Sequence, residues 1–86
     1  MGLQATFHPP CGGADWLGLR KTAAGITEII YDDGVARRMT WRVAGDEPSE
    51  ARLAEALRAA SRSLRVVPTL QVELKKRAIA VQRVTG

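Results

Sequence analysis

Apolar and polar positions alternate with period two along much of the first half of this chain, and that alternation predicts strands. Leu3 to Phe7 reads as a short strand, and Asp15 to Leu19, carrying Trp16, as a second. Between them, His8-Pro9-Pro10-Cys11-Gly12-Gly13 combines prolines, which fix φ and lack an N–H, with glycines, which permit positive φ. Such a segment turns the chain. Thr22 to Gly25 is a softer turn. Then Ile26–Tyr31 and Val35–Val43 flank Asp32-Asp33-Gly34, and Asp-Gly between β-rich runs is a strong hairpin signal. A three-residue loop with Gly34 left-handed pairs Tyr31 with Val35. That register expects Ile29, Tyr31, Val35, Met39 and Trp41 on one face and sets Glu28 opposite Arg38 on the other. A two-residue Asp33-Gly34 loop would shift the pairing.

The period changes after Val43. Leu53, Leu57, Ala60 and Leu64 recur at i, i+4, i+7 and i+11, the stripe of an amphipathic helix spanning Asp46 to Arg65. Asp46 suits the N-cap and Pro48 the first turn. Glu47 and Glu50 stand at the positive end of the helix dipole, Arg62 and Arg65 at the negative end. Beyond Pro68, Leu70, Val72 and Leu74 alternate with Gln71, Glu73 and Lys75. This predicts a closing hairpin, residues 69–74 and 78–84, about a turn at Lys75-Lys76-Arg77. The competing helix through Leu70, Leu74, Ala78 and Val81 would leave Val72 and Ile79 on its polar side. The expected architecture is one small α+β domain over residues 1–86: an antiparallel sheet of hairpins with one amphipathic helix packed on one face.

Composition narrows the partners more than the fold. With 45% apolar and 26% charged residues, the chain has the profile of a globular domain. At 86 residues its core is thin, which makes docking onto a partner or onto copies of itself an expected route to stability. A lone cysteine, Cys11, allows no intrachain disulfide. The N-terminus lacks the pattern of a signal peptide, and no apolar run approaches the roughly 18 residues of a membrane span. No membrane partner is expected, and the location read from this is cytoplasmic.

The net charge is +4, and it is local. From Arg58 to Gly86 the chain carries Arg58, Arg62, Arg65, Lys75, Lys76, Arg77 and Arg83 against a single acid, Glu73. A local basic surface usually faces something acidic: nucleic acid, an acidic protein patch or a membrane surface. Aromatic residues are scarce, which weakens a stacking platform for single-stranded nucleic acid. The candidate partner-binding residues are Trp16, Arg37, Arg58, Arg62, Arg65, Lys75, Lys76 and Arg77, with Trp16 and Trp41 as core or interface anchors.

Catalytic and cofactor chemistry finds little to stand on. His8 and Cys11 pair two metal-ligating residue types, but a zinc site needs three or four ligands, and there is no second His or Cys. As a thiolate–imidazole pair they lack any sign of an oxyanion site. Asp32 and Asp33 are explained as turn formers and Gly12-Gly13 lacks the lysine of a phosphate loop. The expectation is a non-enzymatic protein with no cofactor and no metal.

The segment Ala5-Thr6-Phe7-His8-Pro9-Pro10-Cys11-Gly12-Gly13-Ala14 resembles the opening strand and turn of small tailed-phage head–tail joining (connector) proteins. The stretches Thr69-Leu70-Gln71-Val72 and Ala78-Ile79-Ala80-Val81-Gln82-Arg83-Val84 are similar to that family's closing hairpin. The central helix, Pro68-Thr69 in place of a Gly-Asp pair, and the lack of an N-terminal helix depart from the pattern. The resemblance implies a virion protein that assembles as a ring between portal and tail and binds neighbouring subunits. A basic nucleic-acid-binding accessory protein and a small phage-encoded inhibitor of a host defence complex are the alternatives.

Overall fold

The computed structural model describes residues 3–8, 14–44 and 49–85. Five strands form one antiparallel sheet in chain order: β1 (Leu3–Phe7), β2 (Trp16–Lys21), β3 (Thr27–Asp32), β4 (Arg38–Val43) and β5 (Val81–Thr85). Two helices, α1 (Glu50–Ser61) and α2 (Val66–Lys76), lie between β4 and β5 in sequence. The α+β class and the helix-on-sheet layering agree with the hydrophobic pattern. The helix count does not, because the sequence predicts one helix and the fold has two.

The sheet separates its two faces by the alternation of side chains. Leu17, Leu19, Ile29, Trp41 and Val43 point to one side, where they join Leu53, Ala56, Leu57 and Ala60 of α1 and Val66, Leu70 and Leu74 of α2 in a single buried core. The helices pack against each other, and α1 also packs on β1 and β2. Ala44 N–H donates to the Ala80 carbonyl at 3.0 Å. The helical excursion therefore leaves and re-enters the sheet at one place, like an insertion in a β4–β5 hairpin.

The β3–β4 hairpin corrects the expected register. Tyr31 pairs with Met39, Ile29 with Trp41, Asp32 with Arg38 and Glu28 with Arg42 rather than Arg38. Residues 33–37 form the loop, and Val35 stands in it 89% exposed instead of on the core face. The cause is Asp33. Its Oδ1 accepts from the backbone N–H groups of Val35, Ala36 and Arg37, a cap that a three-residue loop cannot hold. The slip is by an even number of residues, so Ile29, Tyr31, Met39 and Trp41 keep the expected common face.

Helix α1 is shorter than its hydrophobic stripe. Ser49 caps it, its hydroxyl accepting from the Arg52 N–H. The expected cap Asp46 and first-turn Pro48 lie outside the described residues. Its C-cap is Arg62, so Leu64 falls in the inter-helix turn at 86% exposure and is not a core residue. The second correction is larger: Thr69 to Leu74, expected as a strand, lies in α2. Pro68 sits in the first turn of that helix, where a missing N–H costs nothing. Val72 is left exposed, as the helical alternative required. Ile79 escapes that fate because the helix stops first. Ala78 adopts φ +55, its N–H donates to Lys75 O at 3.0 Å, and the Ile79 N–H donates to Leu74 O at 2.9 Å. This pair of bonds is a Schellman motif, and it turns Ile79 back into the core beside Leu74.

Candidate interaction surfaces

The sheet face away from the helices carries three rows set by the strand register. Thr6, Gly18, Ile30 and Thr40 run across the middle. Trp16, Asp32 and Arg38 flank them on one side, and Arg20, Glu28, Arg42 and Gln82 on the other. No described helix packs on this face. Ile30 is nonetheless 1% exposed and stands outside the core under the helices. Its same-face neighbours on β3 are Glu28 and Asp32, in the two flanking rows of long side chains.

Those side chains are held. Arg20 donates from Nε and Nη2 to Glu28 Oε1 at 3.0 and 2.8 Å. Arg42 Nη2 lies 3.7 Å from Glu28 Oε2, so the buried carboxylate sits between two guanidinium groups. Arg38 Nε donates to Asp32 Oδ2 at 3.1 Å, and its guanidinium lies 5.5 Å from the centre of the Trp16 ring. Trp16 itself is half-buried. The result is a preorganised face of Trp and Arg, residue types that anchor protein interfaces, with much of its positive charge matched internally.

The cations expected to bind a partner do not come together. Arg58 is exposed on α1, with its guanidinium 5.8 Å from the centre of the Phe7 ring. Arg62 and Arg65 flank the turn between the helices. Lys75, Lys76 and Arg77 lie at the opposite end of α2, an 11-residue helix about 16 Å long. There Arg77 bonds Glu73, which also has Lys76 at 3.5 Å, and the Arg52 guanidinium reaches the Arg77 carbonyl. The Arg77 hydrogen bond, with the two cations around it, holds the Glu73 carboxyl below the usual carboxylate range. Arg37 is exposed in the β3–β4 loop, and Trp16 is on the open sheet face.

The pattern missed Arg20, Arg38 and Arg42 as surface residues of interest. The signal was present: all three fall on the same parity as Trp16 and Glu28 once the strands are registered. Assigning Glu28 to Arg38 hid the Arg20–Glu28–Arg42 arrangement.

A second feature is a groove of about 510 Å³ on the helix side of the β5 edge, lined by Trp41, Gln71, Leu74, Lys75, Ile79, Val81 and Arg83. Among the described residues, no three His, Cys, Asp or Glu side chains stand together as a metal site. Cys11 and the prolines and glycines around it lie outside the described residues. No described helix is long and apolar enough to cross a membrane. No protein-family model, curated protein or solved structure matches the chain.

Proposed function

We propose that this protein is a non-enzymatic binding module that works through protein contacts on the open face of its sheet. The observation that carries this reading is the Trp16–Arg38 pair on one side of the sheet face and an ordered Arg20–Glu28–Arg42 row on the other, with no described helix covering them. A half-exposed Trp with an arginine on its ring offers a large contact area at small entropic cost. The matched charges favour a protein partner over a polyanion. A phosphate-tracking surface needs contiguous cations with few nearby acids, whereas here Glu28 and Asp32 are built one into each flanking row. The dispersal of Arg58, Arg62 and Arg65 away from Lys75 and Lys76 points the same way. Within this class, the sequence resemblance favours an assembly role at a phage head–tail neck, with the protein in a virion and in contact with copies of itself.

Capture of the tagged protein from its native lysate with nuclease present, read by mass spectrometry, tests this reading. Portal, capsid or tail subunits should be recovered with the wild-type chain and lost with the Trp16→Ala variant. Recovery of nucleic acid, with all protein partners lost on nuclease treatment, would overturn it.

A further inference from the structure

Two turns share one end of the molecule. Helix α1 sets out beside the end of α2, where the Arg52 guanidinium reaches the Arg77 carbonyl, and runs until Arg58 lies 5.8 Å from the centre of the Phe7 ring. Phe7 pairs with Leu17, next to Trp16, and Trp16 pairs with Asp32 at the start of the β3–β4 loop. The α1–α2 turn and the β3–β4 loop therefore lie at the same end. They carry the two most exposed large apolar side chains among the described residues, Leu64 and Val35. Single exposed aliphatic residues are ordinary on a protein surface. Two at one end, each held out by a built turn, are not. Asp33 caps the first loop. In the second, the Ser63 hydroxyl accepts from the Arg65 N–H at 3.0 Å and from the Thr69 hydroxyl at 2.8 Å.

The charge at this end points outward as positive. Its acids are engaged within the chain: Asp15 by the Tyr31 hydroxyl, Asp32 by Arg38 and the Gly34 N–H, and Asp33 by its three backbone bonds. Arg37 is partly matched by Asp33. Arg62 and Arg65 flank Leu64, both exposed, and among the described residues neither side chain has a hydrogen bond or ion pair. A polyanion would meet these arginines but has nothing for the aliphatic tips. A second copy docked by the same end would set the arginines against their own kind. A folded protein would need a matched pocket for each of two separate, convex tips. A bilayer needs none, because its fluid interface takes apolar tips at any spacing while anionic headgroups meet the cations. We infer that this end docks on the surface of an anionic bilayer, with Val35 and Leu64 entering the headgroup region and Arg62 and Arg65 against lipid phosphate and carboxylate. The lack of a long apolar helix among the described residues bears on crossing a membrane, not on resting against one.

Flotation of the full chain with vesicles of phosphatidylcholine, alone or mixed with phosphatidylserine, tests this. The mixed vesicles should carry the protein, the neutral ones should not, and added salt should release it. Leu64→Ser and Val35→Ser, both at exposed turn positions, should each weaken binding several-fold. Arg62→Glu combined with Arg65→Glu should abolish it. With nitroxide-labelled lipid in mixed bicelles, the Val35 and Leu64 methyl resonances should broaden far more than those of Ile26, which lies in the β2–β3 turn at the opposite end of the sheet. None of these changes touches Trp16, so protein capture through the open face should survive all of them. Failure to bind mixed vesicles, equal binding to neutral ones, or silent Val35 and Leu64 variants would each overturn the inference. So would loss of a captured protein through Leu64→Ser with vesicles unbound, which would put an acidic protein on this end instead.

Discussion

Two glycines in turns show how local context sets the cost of one side chain. Gly25 and Gly34 both have φ near +80, where an L side chain is strained by roughly 1–2 kcal/mol. A Cβ on Gly25 would meet nothing within 4 Å, whereas one on Gly34 would lie 2.6 Å from the Ala14 backbone. Gly25→Ala should therefore cost about 1 kcal/mol. Gly34→Ala should cost clearly more, because the β3–β4 loop must lift off Ala14 in the segment that leads into β2. Denaturant midpoints of the two variants check the order. Tyr31 offers a second test, since it is the chain's sole tyrosine. Its pKa is pushed up to about 12, by burial first and then by its 3.1 Å hydrogen bond to Asp15 and the neighbouring carboxylates. The fold thus favours the protonated phenol. Its contribution to stability should be complete below the unfolded value of about 10 and lost as pH rises toward the folded one. Alkaline absorbance titration should show late phenolate formation, and Tyr31→Phe should flatten the loss of stability across that window.

At the scale of elements, β1 was legible to the residue, because alternation and a following Pro-Gly break specify a strand almost alone. The end of α2 was not. Residue 78 occupies a left-handed cap, a position that glycine usually advertises, and this chain has alanine there. Without that mark, Leu70, Val72 and Leu74 read as a strand, although Val66, Leu70 and Leu74 form a helical stripe on the core. The α1 stripe failed by its last member, since Leu64 fits the period but lies beyond the cap. The open-face row was legible in parity but not in partner, because Asp33's three backbone bonds decide the loop length. On this account Ala78→Gly should stabilise the protein by about 0.5–1 kcal/mol, relief of left-handed strain outweighing the entropy of glycine. Leu70→Ala, at a site with no exposure, should cost about 2–5 kcal/mol, while exposed Val72→Ala should stay within about 0.5 kcal/mol. Thermal unfolding of the three variants checks these values together. A strand at 69–74 would instead make Val72 as sensitive as Leu70.

Over the whole molecule, the helices and the sheet divide the work. Helix α1, helix α2 and the inner sheet face make the core, and the outer face, on which no described helix packs, holds Trp16, Arg20, Arg38 and Arg42. Charge counted along the chain suggested one basic surface in the last third. Folding distributes Arg58, Arg62, Arg65, Lys75, Lys76 and Arg77 between the two ends of the helical pair and puts Arg83 on β5, so the linear count overstated the local potential. The decisive measurement is the affinity for the captured protein partner of two variants, Trp16→Ala and the triple Arg58→Glu, Arg62→Glu, Arg65→Glu, across a range of salt. Recognition through the open sheet face predicts at least a tenfold loss for Trp16→Ala, the scale of an interface hot spot, with a shallow salt dependence and little effect of the triple variant. Loss of binding in the triple variant with Trp16→Ala silent, together with a steep fall in affinity as salt rises, would contradict it.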